Sequence, residues 1–256
     1  MRDYNTTWKR GRPVDLVLME STYGDEEHGH SHEQLELELE RIMLSALERG
    51  GNVLVPAFAL GPAQTLLFYL HKLMSTRRVP GLPVAFDGGL GMRVMHNYEE
   101  FSHLFDREVL EATARGDRPL DVDGLYASQQ EPSQRLSMMP GPMLIIAGNG
   151  MCTGGRIVSH LRRLLPHDQT TVLFMSHQAE GTPGRAIQRA ATRGGRVALD
   201  HEEVRVRAHV ETLSGLSGHA DRLELSRWLG AIPEVERVAL HHGEPKAQRS
   251  FAAWYT

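Results

Sequence analysis

The sequence predicts an α/β protein. Short apolar runs alternate with amphipathic helical stretches, and polar, glycine-containing loops follow five of those runs. VDLVLM (14–19) reads as a buried strand. Ser31 and Gln34 form a capping box before EQLELELERIMLSALERGG, whose apolar stripe is Leu35, Leu39, Ile42, Met43 and Ala46 and whose stop is Gly50–Gly51. NVLVPAFAL is the next strand, and GPAQTLLFYLHKLMS the next helix, with Pro62 in its first turn. PVAFD is a short strand, and from about Phe105 to Pro142 turn-rich segments such as GDRPLDVDG weaken the pattern. PMLIIAG, TVLFMS and VERVALHH read as strands. GGRIVSHLRRLL, PGRAIQRAATRGG, ADRLELSRWLGAI and PKAQRSFAAWYT read as helices. RVALDHEEVRVRAHVETL holds two β-rich runs joined by a turn at DHEE.

Composition sets the outer limits. The 256 residues are 41% hydrophobic and 23% charged, as in ordinary globular proteins, and suffice for one large domain or two moderate ones. The net charge of −4 gives no global basic field, so any phosphate binding has to be local. One cysteine, Cys152, excludes an internal disulfide and fits a reducing cytoplasm. No apolar run approaches the roughly 20 residues that span a bilayer, and the polar N-terminus has no apolar core of a secretory signal.

The chemistry-bearing residues follow strands, where open α/β folds collect ligands. Glu20 follows VDLVLM; GNGMCTGGR (148–156) follows PMLIIAG; SHQAEGTPGR (176–185) follows TVLFM. LSGLSGHAD (213–221) and HHGEP (241–245) follow the last two apolar runs. GGR at 154–156 opens a helix, where glycines allow close approach, free N–H groups attract phosphate and Arg156 adds a donor fork; a plain turn with a solvated arginine is the competing reading. Asp221 suits a helix cap, and a histidine placed like His219 is more often structural than catalytic. His242, at a strand end beside Gly243, suits a metal ligand, whereas His241 points to the opposite face. HGHSH places His28, His30 and His32 at alternate positions, but no apolar alternation marks a strand there, and a solvated loop is the simpler reading.

Taken together, ESTYGD, PAFALG, GMCTGGR, QAEGTPGR, SGLSGHAD and HHGEP resemble, in order and spacing, the β-CASP family of metallo-β-lactamase-fold nucleases, from about residue 14 to 245. That resemblance implies a partial metallo-β-lactamase fold (αββα) from residues 1–20 and 171–256, with an inserted α/β β-CASP cap at 21–170. It implies a zinc-dependent RNA-processing nuclease that hydrolyses phosphodiesters, with two Zn2+ ions per complete site. Glu20 and His219 are then catalytic, His242 a zinc ligand, and Asp3 in RDYNTT the candidate bridging ligand. His219 would protonate the leaving oxygen, with Glu20 holding it in its charged form. Thr153, Gly154, Gly155, Arg156 and Ser217 would contact phosphate. The family's HxHxDH motif lies upstream of ESTYG and is not among these residues, so the expectation is a C-terminal portion with an incomplete ligand set, binding zinc weakly and showing little activity. HGHSH lies downstream of ESTYG and does not replace that motif.

The sequence departs from the family at Arg2 for glycine, at Pro62 for arginine and at SHQ for GYQ. The expected partner is single-stranded RNA, with single-stranded DNA open, no membrane, a homodimer compatible and a cytoplasmic setting. Two rivals stand beside this reading: a non-catalytic β-CASP scaffold that binds RNA, and a metallohydrolase of small phosphodiesters.

Overall fold

The computed structural model describes residues 13–29, 31–122, 125–128, 133–139 and 141–255. In chain order the elements are β1 (Val17–Glu20), α1 (His32–Arg49), β2 (Val53–Pro56), α2 (Pro62–Ser75), β3 (Val84–Asp87), α3 (Gly89–Glu100) and α4 (Arg107–Ala114). They continue with β4 (Leu125–Ser128), α5 (Ser133–Met138), β5 (Leu144–Ala147), α6 (Arg156–Leu164), β6 (Thr171–Phe174) and α7 (Pro183–Arg193). The last are β7 (Gly195–Leu199), β8 (Glu202–Val206), β9 (His209–Thr212), α8 (Arg222–Gly230), β10 (Val238–His241) and α9 (Pro245–Tyr255). The α/β class expected from the sequence holds. Two compact units result: described residues up to Gly29 together with those from Ser217 onward, and those between them.

The larger unit is a parallel six-stranded sheet in the order β4-β3-β5-β2-β6-β9. Successive side chains of a strand face opposite sides, so Val53 and Val55 join the α1 and α2 residues on one face while Leu54 joins those of α6 and α7 on the other. Helices on both faces explain why β2, β3, β5 and β6 are continuous apolar runs rather than alternating ones. The local signals act as expected: Ser31 and Gln34 close the capping box of α1, and Gly50 ends it at φ 73°. β7 and β8 form an antiparallel hairpin turned at Asp200 and His201, both at positive φ.

Residues 171–216, which the resemblance groups with the catalytic fold, share this sheet through β6 and β9 and belong to the larger unit. Residues 21–29, grouped there with the cap, belong to the smaller one. The run VRVRAHV is split, because β8 pairs with β7 while β9 pairs with β6. The stretch around 105–142 contains α4, β4 and α5, which its turn-rich composition conceals.

The smaller unit pairs β1 with β10 in parallel, in the register Val17↔Val238 to Glu20↔His241. Val17 and Met19 pack with Leu225, Leu229 and Ile232 around α8 and with Phe251 of α9. Asp221 caps α8, with Glu224 reciprocating. This pairing brings the ends of two strands, and the residues that follow them, side by side.

Candidate active site

Within the smaller unit, Glu20, His219 and His242 come together: one ligand atom from each lies within 4.8 Å of the others. Several local devices produce this. Parallel pairing places Glu20 beside His241, so the next residue, His242, begins the turn next to it. His242 takes the left-handed conformation at φ 61°. Gly243 packs so tightly that a Cβ would meet the Ser21 carbonyl oxygen at 2.3 Å, and only glycine fits there. Ser21, fully buried, donates its hydroxyl to the His241 carbonyl at 2.9 Å and ties the two strand ends together. His219 precedes the cap of α8; the Ser217 hydroxyl accepts its amide at 3.2 Å, and His28 Nε2 donates to its carbonyl at 3.0 Å.

Glu20 is aimed by the main chain. Its Oε2 accepts the Thr22 amide at 2.7 Å and its Oε1 the Ala220 amide at 3.2 Å. Oε2 also lies 3.4 Å from His219 Nδ1. Thr22 Oγ1 sits between the imidazoles, 3.4 Å from His219 Nδ1 and 3.3 Å from His242 Nδ1, and the ring centroids are 5.0 Å apart. Burial alone would push the Glu20 carboxyl up. The Thr22 amide and hydroxyl, the charge of His219 and the Ala220 amide outweigh it and hold Glu20 below the usual carboxylate range.

Two imidazoles and a carboxylate are a donor set that zinc accepts. Among the described residues this cluster offers part of such a donor set, fewer than the four ligands a zinc ion takes.

Comparison with known proteins finds two domain matches along the chain. Residues 63–187 match the Beta-Casp domain, and residues 203–256 match the zinc-dependent metallo-hydrolase RNA specificity domain. The chain therefore carries the Beta-Casp and RNA specificity domains found in metallo-β-lactamase-fold RNA nucleases. It is 38% identical over 232 residues to Ribonuclease TTHA0252 of Thermus thermophilus, covering 90% of this chain and 52% of that protein. It is 33% identical over 241 residues to the transcription termination factor FttA of Thermococcus kodakarensis, covering 90% of this chain and 36% of that protein. For the FttA of Methanocaldococcus jannaschii the figures are 29% over 251 residues, 93% and 38%. The chain thus spans about half the length of the first relative and little more than a third of the others.

Asp3 lies outside the described residues. Thr153, Gly154, Gly155 and Arg156 belong to the larger unit, at the start of α6. Gly155 is at φ 79°, where a Cβ would meet the Gly148 carbonyl oxygen at 2.6 Å, and Asn149 Nδ2 donates to Thr153 Oγ1 at 3.0 Å. Arg156 is an ion-pair member: its Nη1 lies 2.5 Å from Asp87 Oδ1, while His160 Nε2 lies 2.8 Å from Asp87 Oδ2. Asp87 and His160 are fully buried, so this loop is anchored from beneath by a carboxylate. Sequence reasoning missed both; the available signal was an acid closing the apolar strand PVAFD and a histidine four residues after Arg156. Burial pushes the neighbouring Cys152 thiol up to about 12, which rules it out as a nucleophile near neutral pH.

The histidines of HGHSH have separate structural tasks. His28 braces the His219 carbonyl, and its amide donates to Asp221 Oδ2 at 2.8 Å. His32 opens α1, with Nδ1 2.5 Å from the Tyr69 hydroxyl. His30 lies outside the described residues.

Proposed function

We propose that this chain carries part of the active centre of a zinc-dependent RNA phosphodiesterase. The observation that supports it is the convergence of Glu20, His219 and His242 from segments about 200 positions apart in sequence (219 − 20 and 242 − 20). His242 would be a zinc ligand, with Asp3 a second candidate. Zinc, when bound, supplies Lewis-acid charge toward the phosphate and lowers the pKa of water. Glu20, fixed by two amides, holds the Nδ1 side of His219, which leaves Nε2 to hand a proton to the departing oxygen. Ser217 and the Thr153–Arg156 loop are the proposed phosphate contacts. The substrate is single-stranded RNA, and the names of the archaeal relatives suggest a nascent transcript.

The test is metal content and cleavage of labelled single-stranded RNA. After dialysis against zinc-free buffer, the 256-residue chain retains less than one zinc, and H242A retains less still. H219A and E20Q lower whatever cleavage the chain shows by about 10²–10⁴-fold. Tight retention of two zincs per chain, or cleavage indifferent to H219A and H242A, overturns this reading.

A further inference from the structure

Three arginines of α7, Arg185, Arg189 and Arg193, repeat every four residues and share one helix face. With Arg196 of β7 they line an open groove of about 530 Å3 in the larger unit; its other walls are small residues, among them Gly181, Thr182, Ala186 and Ala198. Ordinary structural roles explain part of this set. Glu180 pairs with Arg185 at 3.3 Å and with Arg189 at 2.6 Å, and Arg193 suits the negative end of the helix.

The hairpin is not explained that way. Arg196 stands directly opposite Arg205 of β8, and like charges in that position cost stability. Val197, Leu199, Val204 and Val206 point into the core, so both arginines are on the exposed face. Among the described residues Arg193, Arg196 and Arg205 make no ion pair. Of these five arginines only Arg185 and Arg189 are ion-paired among the described residues, both with Glu180, in a chain of net charge −4. A concentration of cations that the protein itself leaves uncompensated is suited to an external polyanion.

We propose that this groove binds the sugar–phosphate backbone of single-stranded RNA. The inference rests on the RNA reading above and adds a site to it, on residues outside the GGR and histidine motifs. Among the described residues no aromatic side chain lines the groove, so it offers no stacking platform and reads charge rather than base. Binding here is independent of sequence and steeply salt-dependent.

The experiment measures fluorescence anisotropy of labelled 15-mer oligouridylate and oligoadenylate against the full chain at several salt concentrations. R193A/R196A is expected to weaken both RNAs alike, about tenfold at low salt. It should also reduce the slope of log Kd against log salt by about 1.4, at roughly 0.7 for each lost phosphate contact. R107A/R118A, whose arginines pair with Glu111 and Asp121, serves as the charge-matched control and should leave binding unchanged. Circular dichroism verifies that both variants fold. An unchanged slope in R193A/R196A, with RNA still bound, overturns the groove and leaves the RNA reading standing. An unaltered chain that binds no RNA overturns both. Groove-dependent binding of a polyglutamate peptide in place of RNA overturns the proposal in favour of an acidic protein partner.

Discussion

In the larger unit every residue of β2, β3, β5 and β6 is buried, whereas in the smaller unit Leu18 of β1 is 64% exposed and Val238 of β10 is 41% exposed. The first sheet has helices on both faces. The second packs Val17 and Met19 against α8 and α9 and leaves Leu16 and Leu18 uncovered among the described residues. The converging site residues belong to the thinner construction. The larger unit is over-determined by packing. The smaller one is held at its chemical end by discrete polar ties: Ser21 to His241, Glu20 to two amides, and Asp221 to α8 and His28.

Variants probe this contrast with two signals, because the tryptophans of the described residues, Trp228 and Trp254, both lie in the smaller unit. Urea unfolding followed by tryptophan fluorescence therefore reports that unit, while far-ultraviolet circular dichroism is dominated by the larger. The largest effect is expected from D87A. It strands Arg156 and His160 beside a buried cavity and lowers the dichroism transition by about 3–5 kcal/mol with the fluorescence transition in place. I146A, a truncation of a fully buried side chain, costs the same transition about 2–5 kcal/mol.

D221A acts on the other signal, by about 1–2 kcal/mol, through the lost helix cap. Burial would raise the Asp221 carboxyl, but the amides of Glu224 and His28, the charge of His28 and the Leu223 amide hold it below the usual carboxylate range. A depressed carboxylate stabilises the fold at pH values above its unfolded pKa, and that contribution disappears as pH falls through the folded value. The D221A deficit is therefore full at pH 6 and shrinks as pH falls below the ordinary carboxylate range, through the depressed folded value; a pH-independent deficit contradicts the assignment. The smallest effect belongs to L18A, less than about 0.5 kcal/mol on either signal, because the side chain is already largely in water. A loss near that of I146A would show that the face is covered, and would break the contrast between the units.

Local signals were readable in the sequence because they act within a few residues. Ser31 with Gln34 and Asp221 cap helices, Gly50 ends one and Pro62 opens one, as their chemistry dictates. The buried strands VLVP, LIIA and TVLF were visible as apolar runs for the same reason. Helices α3, α4 and α5 were not, since their apolar residues are sparse and glycine and turn-forming residues interrupt the pattern. Which sheet β6 and β9 join is a long-range matter that no local pattern encodes. At the site, Glu20, His219 and His242 were named through the family resemblance. Thr22, which reaches both imidazoles, and His28, which braces one of them, were assigned no such role, because their meaning comes only from what folds against them.

The register of β1 against β10 decides which member of the tandem His241–His242 meets Thr22, since Glu20 is level with the first and the turn presents the second. The two imidazoles are consequently not spares for each other. A gene keeping only codon 242 should preserve the assembly, whereas one keeping only codon 241 would retain a histidine in that neighbourhood and still lose the contact.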